Sequence, residues 1–252
     1  MSLRVERVGD AAVLTIDRPG VKNAIDRKLA KQLGDAVRIA SSDPSVRGVV
    51  VTAAGEDTFI SGGDLKELDT FSKDAEGGRE VIAMFSDLEI FETCEVPVVA
   101  AVQGNVLGGG CELLLLCDYV IAEAHVALSF RHAKMGLSTA WGGMTRLVER
   151  VGPQEAARLL FTAEKVPAEE AHRIGLIGQV VPQGGSRAAA VARVNRIADN
   201  PRATVAALKR TLQKVREALR KGAVEQERAT FEAMWGGADH QQAMAAFFTR
   251  RS

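Results

Sequence analysis

One stretch constrains this 252-residue chain more than any other: Val96 to Asp118, VPVVAAVQGNVLGGGCELLLLCD, where an apolar run meets three consecutive glycines and then a second apolar run holding one acid. Val98 to Val102 is short, rich in valine and preceded by Pro97, the pattern of a buried strand. Leu113 to Cys117 is too apolar for a surface and predicts a buried helix. Gly108, Gly109 and Gly110 at the junction let the backbone take positive φ and approach a ligand closely, and the first turn of the following helix carries N–H groups without intrahelical partners. Such a turn suits negative charge. Glu112 falls in that turn between Cys111 and Leu113. A carboxylate in apolar company must be paired, hydrogen-bonded or protonated, so its presence needs a reason.

The same arrangement occurs earlier. GVVVTAAGEDTFISGGDLKEL, from Gly48 to Leu68, is again an apolar strand, a loop, a glycine pair and a helix, which predicts a duplicated supersecondary unit. Two glycine turns with free N–H groups can point at one oxygen and stabilise charge developing on a carbonyl, each donor contributing about 3 to 4 kcal/mol in the transition state. That chemistry is enolate formation from a thioester or similar carbonyl, with Glu112 as acid or base. Equally, the glycines serve close packing and Glu112 is satisfied by a core hydrogen bond. Burial raises its pKa and the helix N-terminus lowers it, so the sequence leaves its charge open.

In chain order, Leu3 to Val8 and Ala11 to Ile16 predict a hairpin across Gly9-Asp10. Asp26 is a helix N-cap before an apolar face of Leu29, Leu33, Val37 and Ala40. Gly48 to Thr52 reads as a central strand, Ala53 to Phe59 as a loop, Thr70 to Gly78 as a mobile loop beside a site and Glu80 to Thr93 as a helix. Tyr119 to Ala122 and Ala127 to Phe130 read as strands. Helices follow at Gly142 to Val151, Pro153 to Phe161 and Pro167 to Ile174, and Gly175 to Val181 turns into a last strand. From Ser186 the patterns are helical, broken at Asn200-Pro201 and Trp235-Gly236-Gly237. Two units result: a core of residues 1–185 and a helical module of residues 186–252.

The 32 basic and 32 acidic residues cancel, which gives no argument for nucleic acid or an anionic membrane as the main partner. Arg202 to Lys221 holds seven basic residues against Glu217 alone; it is expected to be a solvated helix face, the alternative being a patch for nucleic acid or for a large ligand's phosphates. Cys94, Cys111 and Cys117 lack CxxC spacing and read as small buried thiols. His125, His132, His172 and His240 make no paired metal spacing, so no metal is expected. GxGxxG and GxxxxGK[ST] are absent, and Gly136 to Ala140 misses the nucleophile elbow at its last position. No run reaches the length of a membrane span and the N-terminus alternates like a strand, so a cytoplasmic, soluble protein is expected.

Taken together, the motifs resemble the crotonase superfamily, the enoyl-CoA hydratases and isomerases. The similarity runs through Arg18-Pro19 with Asn23-Ala24, FISGGDLKE at Phe59 to Glu67, VQGNVLGGGCEL at Val102 to Leu113, Trp141-Gly142-Gly143 with Thr145-Arg146-Leu147, AEEAHRIGLI at Ala168 to Ile177 and DHQQAMAAFFTRR at Asp239 to Arg251. It implies an α/β spiral of repeated ββα units and a C-terminal helical module that builds a homotrimer or a dimer of trimers. It also implies an acyl-CoA lyase of fatty acid metabolism with no cofactor, since coenzyme A is part of the substrate. By motif position the oxyanion donors are the N–H groups of Gly63 and Gly109, and Glu112 falls on the first catalytic glutamate of the hydratases. The second glutamate is replaced by His132, whose imidazole titrates near neutrality; holding a loop is its structural alternative. The resemblance places the acyl-CoA against Lys22, Ala24, Gly62, Asp64, Leu65, Lys66, Gly108 and Trp141, with Ile82 and Phe85 along the acyl pocket and Phe248 and Arg250 directed at a neighbouring subunit's ligand.

A narrower similarity, FRHAKMGLSTAWGGMTRLVE at Phe130 to Glu149, is to ethylmalonyl-CoA decarboxylases. The functions expected are therefore an enoyl-CoA hydratase first, a decarboxylase of ethylmalonyl- or methylmalonyl-CoA second and an enoyl-CoA isomerase third. A non-catalytic RNA-binding or scaffold protein using the basic stretch is the alternative of another class.

Overall fold

The computed structural model describes residues 2–249. The chain opens on the expected hairpin, β1 (Leu3–Val8) and β2 (Ala11–Ile16), turning at Gly9-Asp10. Helix α1 (Arg27–Ser42) starts where Asp26 accepts the Leu29 N–H at 2.7 Å and buries Leu29, Leu33, Val37 and Ala40. A cap of this kind contributes about 1 kcal/mol. There follow β3 (Gly48–Ala53), β4 (Thr58–Ile60), α2 (Leu65–Leu68), α3 (Ala75–Met84), α4 (Ile90–Thr93), β5 (Val98–Val102), β6 (Asn105–Leu107), α5 (Gly109–Leu116), β7 (Tyr119–Glu123) and β8 (Ala127–Ser129). The remainder is α6 (Gly143–Thr162), β9 (Val166–Pro167), α7 (Ala168–Arg173), β10 (Gln179–Val181), α8 (Ser186–Ala198), α9 (Arg202–Arg220), α10 (Ala223–Met234) and α11 (Ala238–Thr249).

The strands form two sheets, ordered β1-β2-β3-β5-β7-β10 and β4-β6-β8-β9. Apart from the hairpin and the β8–β9 pair the neighbours run parallel. The duplication expected from the sequence is physical: β3-β4-α2 and β5-β6-α5 each place one strand in the first sheet, one in the second, and then a helix. Their registers match in both sheets, Val50 opposite Val99 and Thr58 opposite Asn105. Stacking the repeats brings the glycine turns together, so that a Cβ on Gly62 would lie 3.2 Å from the Gly109 nitrogen.

β3 and β5 are buried throughout because both sheet faces are covered. On one side lies the main core with α1; on the other, Ala190 and Val194 of α8 pack on Val13, Val50, Val99, Ala101 and Ile121. Complete burial of each such valine contributes roughly 1.5 to 3 kcal/mol, which sets the sheet as a rigid base for the loops at its edge.

Several expectations give way. The loop at Ala53 to Phe59 ends in β4, and β6 was not expected; both are too short to show a period and are held by pairing with each other. Thr70 to Gly78 is not a free loop. Asp74 caps α3, Trp235 Nε1 donates to Ser72 O at 2.7 Å, and Gly77 and Gly78 are buried against Ser72 and Trp235, so the C-terminal helices pin the segment. The helix expected from Glu80 to Thr93 breaks after Met84 into a 3-10 turn at Ser86–Glu89 and then α4.

The basic stretch on α9 is a solvated face only in part: Arg210, Lys214 and Lys221 are exposed as expected, while three others turn into the protein. Lys209 and Arg220 are buried and Arg216 nearly so, because the core presents acids to them: Lys209 Nζ meets Asp118 Oδ2 at 2.7 Å, Arg220 meets Glu92 Oε1 at 2.7 Å, and Arg216 binds Glu149. Arg146 of α6 reaches Glu92 at 2.7 Å from the other side. Among the described residues all three cysteines are free and buried, as expected; burial pushes the Cys111 and Cys117 thiols up to about 12.

Candidate active site

The two glycine turns lie side by side, a Cβ position on Gly62 falling within 3.2 Å of the Gly109 nitrogen. Gly108 holds φ +53°, ψ −126°, open only to glycine at ordinary strain, and turns β6 into α5. Neither the Gly63 nor the Gly109 N–H has a protein acceptor among the described residues. The first loop closes against these turns: Ile25 bridges to Gly63, the Ile25 N–H donates to Gly62 O at 2.9 Å, and Asp64 N–H returns to Ile25 O at 2.8 Å. Lys22, Ala24, Gly62, Asp64, Leu65 and Lys66 are thereby gathered at one edge.

Within that group the side chains differ in freedom. Asp64 is committed, one oxygen capping α2 through the Lys66 N–H and the other paired with Arg18 at 3.0 Å. Ala24 O accepts from Arg18 at 2.6 Å. Lys22 and Lys66 are exposed and point charge outward. Asn23 locks the loop: its Nδ2 donates to Ala54 O and Thr58 O at 2.9 and 2.8 Å, and its Oδ1 accepts the Arg18 N–H at 2.9 Å.

Glu112 is 2 % exposed and three donors explain how it is tolerated. Its Oε1 meets His132 Nε2 at 2.9 Å, and its Oε2 accepts the N–H groups of Trp141 at 2.9 Å and Ala140 at 3.3 Å. His132 stands at the start of the 3-10 turn Ala133–Met135, which carries it across to α5. In the tautomer whose Nε2–H is donated to Glu112, Nδ1 is the lone-pair nitrogen; it is buried without a hydrogen-bond partner. The indole Nε1 of Trp141 is likewise buried and unpartnered.

Trp141 and Phe85 wall the glycines. Their rings lie 3.7 Å apart between centroids at 46°; a Cβ on Gly109 would meet the Trp141 ring at 2.6 Å, and one on Gly63 would lie 3.3 Å from Phe85. Two surface depressions of about 290 and 310 Å³ lie elsewhere, one between α3 and α10 and the other on the outer face of the first sheet beside the start of α8.

Every residue expected to act in catalysis thus converges: Glu112 touches His132, and Gly63 and Gly109 occupy adjoining turns. Gly108 and Trp141 flank Gly109. Arg250 lies outside the described residues. The strap Thr139–Trp141, whose Ala140 and Trp141 N–H groups grip Glu112, leaves no mark in side-chain spacing because its donors are backbone; the glycine pair Gly142-Gly143 is its signal. Gly142 takes φ +74°, and a Cβ on Gly143 would lie 2.5 Å from Glu112 Cγ and Oε2.

Stacked ββα repeats with a helical C-terminal segment make this an α/β fold of the crotonase type. The chain belongs to the enoyl-CoA hydratase/isomerase family, whose model matches residues 6–252. It is 32 % identical over 247 residues to the short-chain-enoyl-CoA hydratase of Clostridium acetobutylicum, covering 98 % of this chain and 94 % of that protein. It is 29 % identical over 236 residues to the ethylmalonyl-CoA decarboxylase of Bos taurus, covering 92 % and 77 %. The crystal structure of a carnitinyl-CoA hydratase from Mycobacterium avium superposes with a TM-score of 0.88 at 33 % identity, covering 99 % of this chain and 96 % of the other.

Proposed function

We propose that this protein is an acyl-CoA lyase that hydrates a 2-enoyl-CoA through a thioester enolate. The observation that carries it is the buried Glu112 carboxylate beside two glycine turns with unpaired N–H groups. The thioester oxygen sits between Gly63 N–H and Gly109 N–H. Water oxygen bonds to C3, its proton passes to the acid/base pair, the C2–C3 π electrons move into the enolate held by the two N–H groups, and C2 then takes a proton. The N–H donors act on charge that exists only along the reaction, so they lower the barrier more than they tighten binding. Coenzyme A enters as part of the substrate along the edge at Lys22, Ala24, Gly62, Asp64, Leu65 and Lys66, with Lys22 as a phosphate partner; no further cofactor is needed. We place the protein in the cytoplasm and assign residues 1–185 to the catalytic core and residues 186–252 to a module that builds a homotrimer or a dimer of trimers.

A second function has an observation in its favour. Glu112 Oε1 is held directly by His132 Nε2, so the two groups touch instead of flanking a water. Decarboxylation of a malonyl-type thioester needs the oxyanion donors but no water: the bond from C2 to the carboxylate carbon breaks, carbon dioxide leaves, its electron pair enters the enolate and an acid protonates C2. The bovine relative is consistent with it.

Crotonyl-CoA and ethylmalonyl-CoA offered in parallel separate the two, following loss of enoyl absorbance and release of carbon dioxide. Hydration of crotonyl-CoA alone is expected. Turnover of only the malonyl thioester would replace the first function by the second.

A further inference from the structure

One side chain of the C-terminal helices reaches the strap that holds Glu112. Glu227 lies on α10 and is 4 % exposed. Its Oε1 accepts Thr139 Oγ1–H at 2.5 Å and the Met144 N–H at 3.1 Å; its Oε2 accepts the Thr145 N–H at 3.1 Å. Gly142, the N-cap of α6, has no side chain to cap with, so Glu227 satisfies the first turn of α6 from another element. Between these anchors run Ala140 and Trp141, whose N–H groups hold Glu112 Oε2. Both ends of the strap are therefore tied to Glu227 and its middle to Glu112.

We propose that Glu227 is a positioning residue for the Glu112–His132 pair: by fixing Thr139 and the first turn of α6, it sets where the Ala140 and Trp141 N–H groups hold the Glu112 carboxylate. This rests on Glu112 being the acid/base group. The chemistry of the contacts supports it. What Glu227 accepts comes from the Thr139 hydroxyl and from the α6 backbone, and among the described residues no cation lies within ion-pair distance of it. From α5, Glu112 faces it as a second buried acid; burial first, and then the Glu112 charge, raise the Glu227 carboxyl above its ordinary range. Two acids held close in the interior form an arrangement that packing alone does not need. It makes α10 a working part of the site.

The test compares Glu227→Gln, Thr139→Val, Thr139→Ser and Glu112→Gln with the parent protein. The readouts are kcat and KM on whichever of crotonyl-CoA or ethylmalonyl-CoA is turned over, and amide hydrogen exchange at Ala140 and Trp141. Misplacement of Glu112 by Glu227→Gln or Thr139→Val is expected to lower kcat on the order of 10- to 100-fold with KM changed less than about 3-fold. Exchange at both amides should quicken, Thr139→Ser should keep kcat because it keeps the hydroxyl, and the Glu227→Gln/Thr139→Val double variant should fall short of the product of the single losses, since both act through one path. Wild-type kcat in folded Glu227→Gln or in Thr139→Val, or a loss with unchanged exchange, would overturn the proposal. If Glu227→Gln does not fold, Thr139→Val decides. Turnover retained by Glu112→Gln sinks the acid/base role instead, and the exchange data still decide whether Glu227 positions the strap.

Discussion

At the scale of single residues the site depends on contacts too tight for a methyl group. Gly143 is the clearest. Its missing side chain is what lets the start of α6 close on Glu112, so Gly143→Ala drives a carbon into the carboxylate at 2.5 Å. Steady-state kinetics should show kcat falling at least about 10-fold while the protein remains folded. Gly20→Ala is the control, since nothing lies within 4 Å of its Cβ position. Equal activity in the two variants would mean that the carboxylate is not held where α6 places it.

Helix α9 carries the argument at the scale of elements. It turns Lys209, Arg216 and Arg220 inward onto Asp118, Glu149 and Glu92 and leaves an apolar stripe outward. Burial alone would push the Glu92 carboxyl up, but Arg220 and Arg146, with Arg216 beyond them, override it and hold it down at about 2, against an ordinary 4.5. A carboxyl depressed in the folded state contributes stability that is fully present above its unfolded pKa and is lost as protons bind. Acid titration followed by circular dichroism should therefore show stability falling from about pH 4.5 toward about pH 2. Glu92→Gln, which leaves the buried Arg146 guanidinium without a counter-charge and Arg220 with Glu149 alone, should cost about 3 to 5 kcal/mol in chemical denaturation and should remove most of that pH dependence.

At the scale of the whole molecule, the outward side of α9 is an apolar stripe. Leu208, Leu212, Val215 and Leu219 recur at helical spacing along one face and are 55 to 73 % exposed. Monomeric proteins rarely show so continuous an apolar stripe. It supports the trimer proposed above, because an ion-paired inner face fixes the helix while the outer face remains for another copy. Light scattering on Leu212→Glu/Leu219→Glu should report monomers where the parent protein is a trimer; an unchanged mass would place the interface elsewhere.

Much of this protein is written in local pattern. The hairpin at Gly9-Asp10, the Asp26 cap, the buried runs of β3 and β5 and the repeated strand-to-glycine turns follow from short-range sterics and periodicity, which sequence carries directly. The same pattern singled out the two glycine turns and Glu112; the family resemblance picked Gly63 and Gly109 within those turns and, through the change at a motif position, His132. Tertiary structure alone decided which groups meet. That Glu112 closes on His132, that the Ala140 and Trp141 amides complete its shell, that Glu227 reaches the strap from α10 and that Lys209, Arg216 and Arg220 of α9 turn inward are outcomes of long-range packing between segments with no shared period. Backbone donors carry no side-chain signature, and a charge on a helix shows in sequence only as a charge; which way it faces is set by the buried acids it must neutralise.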